Sequence, residues 1–288
     1  QGLLLGDGAM GTMLQQMGLK GGEPPELWNV EHPDRVRSVS RRYIEAGAET
    51  VITNTFGGSS IKLAQYGLES RAAELNRRGA ELARQAAGDR AFVAGSVGPS
   101  GQFLEPYGTL TDEELYASFA EQVRALEEGG ADFIQVETMS DLAEARIAVV
   151  AARENTKLPV LVSMTFEKGP KGYFTIMGIA PQTMAETFEK LEVAVLGTNC
   201  GNGIDEIIEI VAELRKHTTL PVFAAPNAGR PVLEKGQVRY TQGPDYFARR
   251  LPELISAGAS YVAGCCGTTP EHIRKMAEVI GRLKKESS

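Results

Sequence analysis

Cys265 and Cys266 are adjacent, follow the apolar run Ser260-Tyr-Val-Ala-Gly264 and precede Gly267. The third cysteine, Cys200, stands in Val193-Ala-Val-Leu-Gly-Thr-Asn-Cys200-Gly201, at the end of a second such run. Free cysteine is among the most buried residue types and commonly packs as a small hydrophobe. Three thiols at strand-to-loop junctions suit a metal better. Zinc accepts thiolate ligands in tetrahedral geometry, with Zn–S about 2.3 Å. Structural zinc sites normally recruit four protein ligands, so three thiolates leave one position exchangeable. The histidines do not complete the set. His272 falls in the first turn of the last expected helix and faces away from the thiols, while His32 and His217 occupy a loop and a helix end. None of the three is placed as a general base.

Two carboxylates form the second candidate group. Asp7 lies in Gly6-Asp-Gly-Ala-Met-Gly-Thr12, and Glu137 closes Ile134-Gln-Val-Glu137. Asp7 reads as an Asx turn or helix cap, or as a carboxylate for a substrate amine with nearby backbone amides left for a substrate carboxylate. Glu137 follows a strand expected to be buried, where an unpaired carboxylate is expensive. No basic residue is placed beside either acid, so an ammonium group is the partner that would balance them. Asn227, in Ala225-Pro-Asn-Ala-Gly229, reads either as a turn residue or as an amide for the metal or the substrate.

These residues are positioned by a repeated unit. Short apolar, β-branched runs alternate with amphipathic segments throughout. The expected strands are Leu3–Asp7, Thr50–Asn54, Phe92–Ser96, Phe133–Glu137, Val160–Thr165, Val193–Asn199, Val222–Pro226 and Tyr261–Gly264. Continuous apolar runs of this length fit parallel strands buried on both faces. Between them, Leu115, Phe119, Val123 and Leu126 share one helical face, as do Ile204, Ile207, Ile208, Val211 and Leu214. The last helix should start at Thr269-Pro270-Glu271, a capping hydroxyl followed by proline and an acid. Three helix-to-strand joins repeat an Ala-Gly-Ala or Gly-Gly-Ala text (46–48, 129–131, 257–259), where glycine permits a left-handed cap. Strict alternation of eight such units predicts an α/β fold, a single-domain (β/α)8 TIM barrel over residues 1–288. A doubly wound sheet would usually carry a Gly-x-Gly-x-x-Gly turn after its first strand, and none is present. In the barrel, the carboxyl ends of the strands gather Asp7, Asn54, Ser96, Glu137, Thr165, Asn199, Cys200, Asn227, Cys265 and Cys266 around one mouth. The loop Gly98–Gly108 overhangs that mouth as a lid, a substrate wall or a plain surface loop.

Composition narrows the class. The 288 residues are 42% hydrophobic and 23% charged, as in a globular protein with a large core. A net charge of -7 argues against a nucleic-acid or anionic-membrane surface. No run is long and apolar enough for a membrane span, and no basic-then-apolar leader opens the chain, so a cytoplasmic location is expected. Three cysteines are too few and the wrong parity for a disulfide framework. The start at Gln1 and the polar end Leu283–Ser288 are what a piece cut from a longer protein would show.

The stretches Asp7-Gly-Ala-Met-Gly-Thr12, Thr53-Asn-Thr-Phe-Gly57, Gly95-Ser-Val-Gly-Pro99, Glu137-Thr138, Gly197-Thr-Asn-Cys-Gly201 and Gly264-Cys-Cys-Gly-Thr268 resemble the homocysteine S-methyltransferase family over essentially the whole chain. The resemblance implies a zinc-dependent barrel that methylates the thiol of homocysteine to methionine. By position, Cys200, Cys265 and Cys266 would be both the zinc ligands and the catalytic centre. Asp7 and Glu137 would hold the substrate amine, and Asn227 would take the fourth zinc position before substrate arrives. Betaine-using members carry tyrosine where this chain has Gly57, which weighs against betaine. The Asn-Thr-Phe-Gly text is more similar to the homocysteine-binding module of the cobalamin-dependent methionine synthases. This implies methylcobalamin as donor, presented by a corrinoid-binding module or protein in the same or another chain. S-methylmethionine is the alternative donor. Two other classes stand beside this one. A non-catalytic zinc or thiol-binding barrel would bind metal and methylate nothing. A metal-free lyase or aldolase would need a lysine or general base at a strand end, and no lysine stands there.

Overall fold

Every residue from 2 to 234 and from 237 to 286 is described by the computed structural model. Gln1 and the terminal Ser287-Ser288 lie outside it. Eight parallel strands form one sheet: β1 (Leu4–Leu5), β2 (Thr50–Ile52), β3 (Phe92–Val97), β4 (Phe133–Met139), β5 (Val160–Met164), β6 (Val195–Asn199), β7 (Val222–Ala225) and β8 (Ala259–Val262). From β2 to β8 each strand pairs with the next in sequence, and β8 pairs with β1, which brings the sheet round to a (β/α)8 barrel. The ladder is incomplete only between β1 and β2. There the Glu49 N–H donates to the Leu5 carbonyl (2.7 Å), and the Glu49 carboxylate accepts from the Leu5 N–H (3.0 Å). One turn higher, the Asp7 carboxylate accepts the Ile52 N–H at 2.8 Å. Side chains thus close the barrel where backbone pairing stops.

Two apolar layers support the strands. Inside the barrel, Phe133, Leu161, Phe223, Tyr261, Ala225 and Ala263 pack together and form the floor of the mouth. Outside it, a larger cluster fills the space between strands and helices. Helix Asp112–Glu128 buries Leu115, Phe119, Val123 and Leu126 as its periodicity requires, and a Thr111–Glu114 capping box starts it. In helix Ile204–Arg215 the buried stripe is Ile204, Ile207, Ile210, Val211 and Leu214. Ile208, expected on that face, lies at its half-buried edge. The three repeated joins place Gly47, Gly130 and Gly258 at φ between 95° and 116°, which explains glycine at each. The last helix runs Pro270–Glu286.

Strict alternation is interrupted twice. An antiparallel hairpin, Glu167–Gly169 with Gly172–Phe174, follows β5, and a second, Pro231–Glu234 with Gln237–Tyr240, follows β7. Both lie at the carboxyl end of the barrel. Several expected strands also end early, β1 and β8 by two residues each, although backbone bonds continue past them, from the Gly6 N–H to the Val262 carbonyl (2.7 Å) and from the Gly264 N–H to the Asp7 carbonyl (2.8 Å). Among the described residues, no helix is long and apolar enough to cross a membrane.

Candidate metal and thiol-substrate site

The strand ends enclose a cavity of about 450 Å³. The three cysteines, Asp7 and Glu137 all line it, so residues at or just beyond the ends of β1, β4, β6 and β8 meet in one place. The sulfurs of Cys200, Cys265 and Cys266 all lie within 4.8 Å of one another, and Cys200 Sγ and Cys266 Sγ are 3.9 Å apart. A tetrahedral zinc with Zn–S near 2.3 Å requires sulfurs about 3.8 Å apart. Among the described residues this is the one cluster of histidine, cysteine or carboxylate atoms that satisfies such a test.

Backbone turns aim the thiols. The Cys200 N–H donates to the Ala225 carbonyl at 3.1 Å, and Cys200 itself adopts φ 62° before Gly201 at φ 71°. This left-handed pair lifts the Cys200 side chain off the strand line. The Cys265 N–H donates to the Pro226 carbonyl (2.8 Å), and Thr268 Oγ1 donates to the Cys265 carbonyl (2.7 Å). Gly267, at φ 80°, completes that turn beneath the Tyr240 ring. A Cβ there would meet the ring at 2.2 Å, so only glycine fits.

The thiols share protons unevenly. Cys265 and Cys266 hydrogen-bond to the Cys200 sulfur and hold its thiol far below the usual range. The same contacts push Cys265 and Cys266 up. The three sulfurs therefore titrate as a group rather than as independent thiols. A bound divalent cation reverses the rise in Cys265 and Cys266, because a coordinated thiol loses its proton. The donor set fits zinc on a further count. Asn227 is buried, its amide lies within hydrogen-bonding reach of Cys200, and its Oδ1 is a buried acceptor with no hydrogen-bond partner. An orphaned carbonyl oxygen beside three sulfurs is what a fourth ligand position would show.

The acids are held differently. Asp7 has one oxygen committed to the Ile52 N–H. Glu137 accepts from Ser96 Oγ (2.5 Å) and from Gln135 Nε2 (3.3 Å). Burial dominates both: it raises Asp7 to about 8 and Glu137 to about 7, and the repulsion between the two adds to Asp7. Neither has a basic side chain in hydrogen-bonding contact. The site offers two reluctant carboxylates at a set remove from a sulfur cluster.

Of the remaining sequence candidates, Asn54 braces the loop after β2 rather than facing a ligand. Its Nδ2 donates to the Pro25 carbonyl (2.7 Å) and to Asn29 Oδ1 (3.0 Å). His272 turns away from the sulfurs: its Nε2 lies 3.1 Å from the Gln242 carbonyl, and its Nδ1 accepts the Thr269 N–H. The Gly98–Gly108 loop is tied down by the Ser100 N–H donating to the Glu144 carboxylate at 2.7 Å, and it leaves Phe103 and Tyr107 exposed. Sequence reasoning missed Tyr240, whose phenol reaches Cys266 and is pushed up to about 12, first by burial and then by the neighbouring thiols. It also missed Glu26, whose buried carboxylate accepts the Gly57 N–H (2.6 Å) and fixes the cavity wall. The signal for Tyr240 was faint, since the hairpin carrying it is polar.

A (β/α)8 barrel whose rim collects three thiols and two buried acids defines a class, and the comparisons agree: the homocysteine S-methyltransferase family profile matches residues 4–280, and the chain belongs to that family. Its similar relatives include a methionine synthase of Mycobacterium leprae, 35% identical over 98% of this chain and 24% of that protein. The methionine synthase of Mycobacterium tuberculosis is 34% identical over 99% of this chain and 25% of that protein. The chain thus spans about a quarter of the length of these relatives. Among solved structures, the metallated form of the homocysteine methyltransferase MmuM from Escherichia coli superposes with a TM-score of 0.79, at 27% identity over 96% of both chains.

Proposed function

We propose that this chain, as one barrel domain, binds zinc and homocysteine and methylates the homocysteine thiol to give methionine. The observation that carries the reading is the juxtaposition itself: three sulfurs at tetrahedral spacing face two buried, cation-deficient carboxylates across one cavity. Homocysteine has a thiol for one side and an ammonium for the other.

In this reading Cys200, Cys265 and Cys266 hold the zinc. Asn227 Oδ1, a buried acceptor without a partner, would be the protein group available for the fourth position when no substrate thiol is bound. Zinc, when bound, holds the substrate sulfur as thiolate at neutral pH, where a free thiol of pKa about 8.5 is only a few per cent ionised. Three anionic ligands keep that sulfur electron-rich and hence nucleophilic. Asp7 and Glu137 take the ammonium, and its charge returns both acids to their ionised forms. The floor of Phe133, Phe223 and Tyr261 excludes water beneath the methylene chain. Attack on a methyl carbon is an in-line displacement, which needs an open approach from solvent.

Two observations favour a methyl-corrinoid donor carried by a partner module. The similar methionine synthases are about four times longer than this chain, which leaves room for such a module. Loops at the carboxyl end of the barrel expose Phe103, Tyr107, Ile176 and Leu233, each more than 60% accessible. Large apolar side chains around a mouth fit a macromolecular partner better than a small soluble donor. The test is metal analysis followed by methyl transfer from methylcobalamin, S-methylmethionine and betaine in parallel. Methylcobalamin should support turnover. Turnover with S-methylmethionine alone would reassign the donor, and zinc binding with no transfer from any donor would reduce the chain to a thiol-binding barrel.

A further inference from the structure

Thr138 is β-branched and sits at φ 61°, a conformation that such residues very rarely adopt. It follows Glu137 directly, so whatever holds Thr138 there also fixes the backbone that carries Glu137, whose carboxylate is then aimed by Ser96 and Gln135. The holding group is one side chain from across the barrel. Asn199, fully buried at the end of β6, accepts the Thr138 N–H on Oδ1 (2.9 Å) and donates from Nδ2 to Thr138 Oγ1 (2.7 Å). The same Oδ1 accepts from Ser163 Oγ of β5 (2.8 Å), and Nδ2 also faces Cys265 Sγ at 3.9 Å. The Asn199 main-chain carbonyl accepts from Thr165 Oγ1 (2.9 Å), and the next residue is Cys200. One amide therefore uses both of its ends to join the turn bearing Glu137 to the turns bearing two of the three sulfurs, passing over β5 on the way.

We infer that Asn199 is a positioning residue: it fixes the span from the carboxylate side to the sulfur side, and so the length of the aminothiol that the site accepts. The inference rests on the reading under Proposed function. It goes beyond that reading by assigning chain-length selection to a residue that contributes no ligand to the metal and no contact to the substrate amine, although its Nδ2 faces one of the ligand sulfurs. The reasoning is geometric. A thiol anchored at the sulfurs and an ammonium anchored at Glu137 are satisfied together only at one separation. Thr138 also sits at a bulge whose ladder resumes at Met139, so loss of Asn199 should loosen the Thr138 backbone rather than release it fully, and should displace Glu137 with it.

The experiment compares the wild-type chain with Asn199→Ala, both loaded with zinc. Each is titrated calorimetrically with homocysteine and with cysteine, which is one methylene shorter. Zinc affinity is read by chelator competition, and folding by thermal unfolding. In the wild type, homocysteine should be preferred by roughly a hundredfold, as one methylene in a fitted pocket allows. Asn199→Ala should keep its zinc, since all three sulfurs remain, while the preference falls about tenfold, mostly through weaker homocysteine binding. If Asn199→Ala does not fold, Ser163→Ala removes one of the bonds to Oδ1 from a residue off the cavity wall, and the preference should fall about threefold. A folded variant with an unchanged preference would overturn the inference, as would loss of zinc from folded Asn199→Ala, which would make the residue a support for the metal alone. A wild-type chain that bound neither zinc nor homocysteine would overturn the functional reading and this inference together, so the two failures are told apart by the wild-type control.

Discussion

The two sides of the mouth perturb their acids in opposite directions. On the sulfur side, hydrogen bonds among the thiols bring Cys200 far below its usual range, so a normally weak acid carries charge. On the carboxylate side, burial brings Asp7 to about 8 and Glu137 to about 7, so normally strong acids keep their protons. The ordinary order of ionisation is inverted across a single cavity. Each side lacks a cation of its own, but they lack different ones. The sulfur side is soft and presents three ligands, which suits a metal ion, while the carboxylate side is hard and hydrogen-bonded, which suits an ammonium group.

The strongest way to break this comparison is to remove a sulfur. Cys265→Ala or Cys266→Ala should abolish stoichiometric zinc and lower thiol methylation on the order of 10³-fold, with the thermal transition of a folded barrel retained. Either variant keeping metal and activity would end the assignment. Removing charge from the opposite side should separate binding from metal. Glu137→Gln should retain zinc while weakening homocysteine about a hundredfold, measured calorimetrically, because a buried carboxylate is lost from its ammonium partner. Equal loss of zinc in this variant would show that the two sides are not independent.

Asp7 sharpens the comparison through pH. Its carboxyl titrates near 3.8 when unfolded and about 8 when folded, so the folded state retains a proton that the unfolded state has lost between these values. Such a group stabilises the fold below about pH 4, and that stability drains away as pH rises toward 8. Asp7→Asn lacks this dependence, so its denaturant stability relative to wild type should rise by roughly 3 to 4 kcal/mol from pH 5 to pH 8. No change in that difference would mean that the carboxyl is not held protonated. Homocysteine binding to the wild type at pH 7 should release protons, seen as a buffer-dependent heat. The smallest effect belongs to Asn227. Asn227→Ala should lower zinc affinity only a few-fold without homocysteine, and leave it unchanged with homocysteine bound, because the substrate sulfur has then taken the position. A loss that persists with substrate would make Asn227 a support for Cys200 instead.

Much of this site was legible in the chain because the strands are nearly pure apolar runs. Any thiol, acid or amide at their ends stands out, and the fold must bring those ends together. That is why Cys200, Cys265, Cys266, Asp7 and Glu137 were identifiable before any geometry. Other features depend on information that composition does not hold. The role of Asn199 follows from the left-handed backbone of Thr138, a residue whose type argues against that conformation. The two hairpins were invisible because neither alternates apolar and polar residues cleanly. Ile208 was misplaced on its helix because Ile207, Ile208 and Ile210 are equally apolar, and only packing distinguishes their faces.

The side-chain seam between β1 and β2 also bears on how this molecule comes into being. The first strand is two residues long, and its regular partner is the last strand of the sheet, more than 250 positions downstream. Closing the barrel therefore requires a pairing between segments at opposite ends of the barrel sequence, whose loop-closure entropy must be met before the contact stabilises anything. The glycine-rich stretch bearing Asp7 adjoins that seam, so the cavity wall is complete only where this long-range pairing is made.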